Sequence, residues 1–271
     1  MGIGLSGKSV IVTGAATGVG LAVAQRFAEA GAKVTMVDAD EDLLESEAAA
    51  INETEPEGEA QTFHGSVEEK LCMTNLIATA IGSYDSIDVL VNANRMLYSA
   101  KPLESEAEKF EAILSENVIA NFRLSRMVAL RMMEIEEASD FETPPDRAII
   151  NLSSIQARRA VPELLAYSVS CAALDQLTRT MAGTLAPNGI RVNAIAVGGI
   201  PGQSMENALP GVDDISESME KIIPLGRRGE TRDAANAALF LASPAASFIT
   251  GQVLGVDGGR LLYDPLAGQI S

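Results

Sequence analysis

Eight residues near the N-terminus, Thr13 to Gly20 (TGAATGVG), restrict the folds open to this chain more than any other stretch. An apolar, β-rich run at 9–12 (SVIV) precedes them. An amphipathic pattern follows, with Val19, Leu21, Ala22, Val23, Phe27 and Ala28 on its apolar side. A buried strand therefore turns sharply and starts a helix. Glycine admits turns closed to residues with a Cβ and leaves room for a ligand to reach the main chain. A helix N-terminus offers unpaired N–H groups and a partial positive charge, which suits a pyrophosphate. A Gly-rich turn of purely structural use is the competing reading. The strand before and the helix after favour nucleotide binding, with Gly14, Thr17, Gly18, Val19 and Gly20 as the candidate contacts.

The remainder of the chain alternates. Strands are predicted at 33–37 (KVTMV), 61–64, 87–91 (IDVLV), 148–152 (AIINL), 191–197 and 252–256. Helices are predicted at 40–52, 68–81, 106–133, 162–186 and 231–241, with a charged loop at 139–147 and a Gly/Pro-rich segment at 198–211. Alternating strands and helices imply an α/β fold with a doubly wound parallel sheet in three layers, Rossmann-type, with right-handed crossovers. Neither an internal repeat nor a separating linker is evident, so residues 1–271 are expected to form a single domain. With 271 residues and 47% hydrophobic content, one large core is affordable. A formal charge of −17 argues against a nucleic-acid partner or an anionic membrane, both of which need basic patches. Two cysteines, Cys72 and Cys171, cannot build a disulfide framework, and no apolar run reaches membrane-spanning length. A cytoplasmic protein is the expectation. His64 reads as a strand-end residue, and no cluster has metal-ligand spacing, so no metal is expected.

Asp38 closes the second strand, at the separation from the glycine loop expected of a carboxylate that hydrogen-bonds a ribose diol. A carboxylate there also repels a 2′-phosphate, which implies NAD(H) over NADP(H). The competing reading is a solvated acid, since Asp40, Glu41 and Asp42 follow.

Taken together, these motifs resemble the short-chain dehydrogenase/reductase family over nearly the whole chain. The T-G-x-x-x-G-x-G loop falls at Thr13, Gly14, Gly18 and Gly20, the helix asparagine at Asn117, and the strand-five serine at Ser154 within Asn151-Leu152-Ser153-Ser154. Tyr167 stands at the tyrosine position, and IPLGRRGE, FLASPAASFITGQ and VDGG resemble the family's closing segments. The resemblance implies an NAD(P)-dependent oxidoreductase that interconverts a hydroxyl and a carbonyl. Tyr167 would be its acid/base, Ser154 the holder of the substrate oxygen, and Asn117 the holder of a water in a proton relay. Further cofactor contacts are implied at Asn92 and Gly198. The resemblance also implies a homo-oligomer, a tetramer or dimer, pairing through the long helices, with Ala172, Ala173, Leu177 and Met181 suited to such a face.

Where the family places a lysine four residues after the tyrosine, this chain has Cys171. A free phenol titrates near pH ~10, and reaching neutrality takes a shift of about three units, roughly 4 kcal/mol. An ammonium at i,i+4 on the same helical face would supply it; a thiol does not. Asn92-Ala93-Asn94-Arg95 replaces the family's N-N-A-G, Ser66 stands in place of an aspartate, Val197-Gly198 replaces P-G, and Gly202 a threonine. Two readings follow. In one, the protein is an NAD(H)-dependent oxidoreductase of an unknown small molecule, with Arg95, Arg158 or Arg159 replacing the lysine. In the other, it is a catalytically degenerate member that retains at most nucleotide binding and acts as a binding or assembly subunit. For the two neighbouring arginines an exposed basic patch is the plainer expectation.

Overall fold

The structure, a computed structural model, describes residues 3–55, 57–100, 107–138, 146–201 and 220–262. Seven parallel strands form one sheet in the order β3-β2-β1-β4-β5-β6-β7. They are β1 (Ser9–Thr13), β2 (Lys33–Asp38), β3 (Glu59–His64), β4 (Val89–Asn92), β5 (Arg147–Ser154), β6 (Ile190–Val197) and β7 (Val253–Val256). Each predicted strand is present, with ends shifted by at most two residues.

Side-chain alternation along the strands builds two cores, one on each face. Val10 and Val12 of β1, with Val34, Met36, Val89, Val91 and Ile195, pack against helices α1 (Gly18–Ala28), α2 (Glu41–Thr54) and α7 (Thr231–Ala242). Ile11, Val37, Leu90, Ile149 and Val192 face the other way. They pack against α3 (Lys70–Tyr84), α5 (Asn121–Glu137) and α6 (Leu165–Leu185). The apolar content of β1, β4, β5 and β6 follows from this, since every residue in these four strands is buried. Phe27, fully buried between α1 and the sheet, shows the energetic scale. Truncating such a side chain to alanine costs about 3–5 kcal/mol.

Local signals set the helix ends. Asp40 caps α2 by accepting a hydrogen bond from Leu43 N at 3.2 Å. Glu230 and Asp233 form a reciprocal capping box at the start of α7. The predicted helix at 106–133 runs without a break from Ala107 to Glu137, as α4 (Ala107–Leu114), a π-helical turn Ser115–Ala120, and α5. Glu106 lies outside the described residues, as do most of the predicted 139–147 loop and the segment 202–219, including Gly202. The extra residue per turn has a cause described below. On α6, Ala172 is exposed and Ala173 and Leu177 are half-buried, but Met181 is packed into the chain's own core, so it is unavailable to a helix-pairing face. No described helix is long and apolar enough to cross a membrane.

The strand order reverses between β1 and β4. At such a switch point the carboxyl ends of neighbouring strands diverge, their connections leaving to opposite sides, and a crevice opens. Thr13, at the end of β1, bridges it. Its hydroxyl donates to Asn94 Oδ1 at 2.7 Å and accepts from Ala93 N and Asn94 N at 3.1 and 3.3 Å.

Candidate active site

The crevice is a cleft of about 430 Å³ running from the glycine loop past Asp38 at one end to Arg95, Leu152 and Pro201 at the other. Gly14, Thr17, Gly18, Val19 and Gly20 all line it. Gly14 adopts φ +62°, and a Cβ there would lie 2.8 Å from Asn94 N. Gly20 has a different constraint: a Cβ would meet the Gly14 carbonyl oxygen at 1.9 Å. The loop is therefore folded back on itself as tightly as its backbone permits. Thr17 is the N-cap of α1, yet its side chain makes no capping bond. The first N–H groups of α1 are left facing the cleft, as an anion site requires. The cradle thus fits the pyrophosphate of a dinucleotide.

Asp38 also lines the cleft. Its carboxylate accepts from Ala16 N at 3.0 Å and from Ala39 N and Asp40 N at 2.8 and 3.2 Å. These bonds fix its orientation and tie β2 to the glycine loop. Two further carboxylates, Glu68 and Glu116, line the same cleft. Burial first, then the charges of Glu68 and Asp38, hold the Glu116 carboxyl above its ordinary range. The sequence reading did not single out either glutamate. Their only signal was proximity to Ser66 and Asn117.

Two sequence candidates are positioned elsewhere. Asn92 is fully buried, and its amide donates to Ser125 Oγ and Asn151 Oδ1, both at 2.8 Å. It joins β4, β5 and α5 inside the fold, while Ala93, Asn94 and Arg95 line the cleft in its stead. Gly198 lines a second cavity beside β7, with Ile200, Pro224 and Val256. Leu152 and Pro201 line the main cleft on that side.

Tyr167, Ser154, Cys171 and Asn117 do converge. Tyr167 sits in the first turn of α6, 2% exposed, beside a cavity of only about 10 Å³ that Arg95, Asn117 and Cys171 also line. Its hydroxyl accepts a hydrogen bond from Arg95 Nη1 at 3.3 Å. Ser154, at the end of β5, donates to Val197 O and accepts from Gln156 N, both at 3.3 Å. Burial dominates the phenol and pushes it up to about 12, while Arg95 and the Ser154 hydroxyl pull it down and Cys171 pushes it up. The Cys171 thiol is likewise pushed up to about 11, chiefly by burial. It is a neutral neighbour at ordinary pH.

Asn117 explains the π-helical turn. Its side chain accepts from Met96 N at 2.7 Å and donates to Met96 O at 2.9 Å and Ser170 Oγ at 3.0 Å. The widened turn delivers one side chain to both backbone groups of the loop after β4. With Thr13 gripping Asn94 on one side and Asn117 gripping Met96 on the other, the backbone around Arg95 is held at two points.

Of the three arginines named from sequence, Arg95 alone reaches the phenol among the described contacts. Arg158 is exposed and acts electrostatically on the buried Asp175, which also accepts from Ser153 Oγ at 2.6 Å. Arg159 lies near Arg260 and lowers its proton affinity.

Comparison with known proteins adds the wider frame. A family model described as enoyl-(acyl carrier protein) reductase matches residues 14–260. A 3α-hydroxysteroid dehydrogenase of Mediterraneibacter gnavus is 33% identical over 254 residues, covering 94% of this chain and 97% of its own. Among solved structures, a 7α-hydroxysteroid dehydrogenase complexed with NADH and 7-oxo glycochenodeoxycholic acid superposes with a TM-score of 0.86 at 33% identity, covering 95% of each chain. A short-chain type dehydrogenase/reductase from Mycobacterium marinum gives 0.86 at 30% identity, covering 95% of this chain and 97% of that one.

Proposed function

Because this chain belongs to the short-chain dehydrogenase/reductase family, we propose that it is an NAD(H)-dependent carbonyl reductase in which Arg95 stands in for the absent lysine. The single observation that carries the reading is the 3.3 Å hydrogen bond from Arg95 Nη1 to Tyr167 Oη. It restores a fixed positive charge beside the one phenol placed to transfer a proton.

The residues would act as follows. Gly14, Thr17, Gly18, Val19 and Gly20 would hold the pyrophosphate, and Asp38 the adenosine ribose. The Asp38 carboxylate, with Glu68 and Glu116 in the same cleft, disfavours the additional phosphate of NADP(H). When bound, the reduced nicotinamide supplies a hydride equivalent. Tyr167 gives the proton to the carbonyl oxygen, and Ser154 orients that oxygen. A phenol at about 12 is protonated at neutral pH. It therefore carries the proton that reduction of a carbonyl requires. Asn117 acts by fixing the Arg95 loop, in place of the water-holding role that the resemblance implies.

The substrate is a small molecule. Steroids and acyl groups carried on protein both occur in the names of its relatives, so no class is singled out. A homo-oligomer is supported by exposed apolar side chains on the helices after β4 (Ile119, Phe122, Leu130) and on α6 (Leu165, Val169). Light scattering tests it.

A second reading is favoured by one observation: the Tyr167 hydroxyl is nearly inaccessible, and the space beside it is too small for a substrate group. On that reading the chain binds the nucleotide and performs no chemistry. One experiment separates the two. NADH binding is titrated, and reduction of a panel of ketones is assayed with the wild type, Tyr167→Phe and Arg95→Ala. Turnover that both substitutions abolish supports the reductase. NADH binding with no turnover favours the binding protein, and turnover indifferent to Tyr167→Phe overturns the role given to Tyr167.

A further inference from the structure

Arg95 lines both the nucleotide cleft and the small cavity at the phenol, so its side chain spans the passage between them. Among the described residues it is the only cation lining the cleft, and no carboxylate ion-pairs with it. The cleft carboxylates are grouped at the other end, where Asp38, Glu68 and Glu116 act on one another.

A carbonyl that takes a proton from Tyr167 must lie within hydrogen-bond reach of its hydroxyl. The ring that delivers a hydride to that carbonyl must lie within about 3–3.5 Å of the carbonyl carbon. On the reductase reading the nicotinamide ring would lie within two contact distances of the phenol. Arg95 Nη1 is already 3.3 Å from that phenol. Guanidinium and ring share one small space. The oxidised ring carries a positive charge and the reduced ring carries none. Two like charges this close differ in affinity by ten-fold or more at the effective dielectric of a protein cleft.

We infer that Arg95 makes the cleft selective for the oxidation state of the dinucleotide, binding NADH and rejecting NAD⁺. The inference rests on the reductase reading given above, in which the phenol and the ring meet at one carbonyl, and it assigns Arg95 a role in specificity besides its contact with Tyr167. The clamps on Asn94 and Met96 hold the backbone that carries Arg95, and among the described residues no carboxylate pairs with its guanidinium.

Calorimetric titration of NADH and of NAD⁺, each alone, into the wild type, Arg95→Met and Arg95→Lys tests it without any turnover. The wild type is expected to bind NADH at least ten-fold more tightly than NAD⁺. Arg95→Met is expected to tighten NAD⁺ about ten-fold and leave NADH within three-fold, and Arg95→Lys to keep most of the wild-type ratio. Raising the salt concentration on the wild type should narrow the ratio, since it screens the repulsion. This last arm stands even where a variant fails to fold. A ratio that Arg95→Met leaves unchanged, or that salt does not narrow, overturns the inference while the dinucleotide reading stands. Failure of both nucleotides to bind at millimolar concentration overturns the dinucleotide reading itself.

Discussion

Arg95 Nη1 and Tyr167 Oη meet at 3.3 Å, linking the loop after β4 to the first turn of α6 across 72 residues of sequence. Burial and this cation act on the phenol in opposite directions, and burial prevails, leaving it near 12. Introducing a second cation is the direct probe. Cys171→Lys is expected to bring the tyrosine's ionisation to lower pH and raise ketone reduction at least ten-fold, seen in the pH profile of kcat. A substitution that restored no rate and moved no pH midpoint would remove Tyr167 from the chemistry.

The same burial makes a prediction about alkaline stability. Folded Tyr167 ionises near 12, whereas an unfolded tyrosine ionises near ~10. The folded state holds its proton more tightly, so the associated stability is complete below pH ~10 and is lost as the pH climbs to about 12. A two-unit gap corresponds to on the order of 2–3 kcal/mol. Cys171, near 11 when folded, adds a loss in the same direction beginning lower. Urea unfolding between pH 9 and 12 should show this decline in the wild type and a shallower one in Tyr167→Phe.

Asp38→Ser should exchange cofactor preference. Removing the carboxylate takes away the repulsion of a 2′-phosphate, and NADPH affinity is expected to rise about ten-fold relative to NADH. The substitution also strips an acceptor from Ala16 N, Ala39 N and Asp40 N. A stability cost of about 1 kcal/mol is expected alongside, measured by thermal melting without nucleotide.

Within the glycine loop, two substitutions should part company. Gly20→Ala sets a methyl 1.9 Å from the Gly14 carbonyl oxygen, and the loop must open to accept it. Nucleotide binding is expected to disappear. Gly18→Ala meets nothing within 4 Å and suffers only from φ +59°, a cost of about 1–2 kcal/mol. Calorimetry with NADH should find weakened binding in the second and none in the first.

Asn117→Ala releases both Met96 backbone groups and Ser170. Leaving partly buried amide and carbonyl groups unpaired costs about 1–3 kcal/mol. Freed from one of its two anchors, the Arg95 loop should also lose its hold on the phenol. Chemical denaturation measures the first effect. An upward shift in the alkaline limb of the tyrosine absorbance titration, as the guanidinium leaves Tyr167, measures the second.

Much of the fold was legible because its causes are local. Strand runs such as 148–152 and 191–197 are apolar throughout, as strands covered on both faces must be, and the glycine loop joins strand to helix within eight residues. The helix at 106–133 is legible in its periodicity, but nothing in that periodicity marks the π-helical turn, whose Asn117 meets Met96 on another element. Asn92 and Gly198 sit next to the cleft in sequence, yet face a buried amide network and a second cavity. Direction at a strand end depends on neighbours that the sequence does not order.

Of the three arginines, Arg158 and Arg159 follow Ser154 directly, and Arg95 is 72 residues from Tyr167. Proximity along the chain points to Arg158 and Arg159, yet the contact with the phenol is Arg95's, because parallel strands bring their ends together regardless of sequence separation. Residue order alone determined a nucleotide loop, a doubly wound sheet and the loss of an ammonium beside a tyrosine. Only the packed molecule decided which cation meets that phenol and how deeply it is buried, since both depend on desolvation and distance across the switch point of the sheet, quantities that exist only once the strands are side by side.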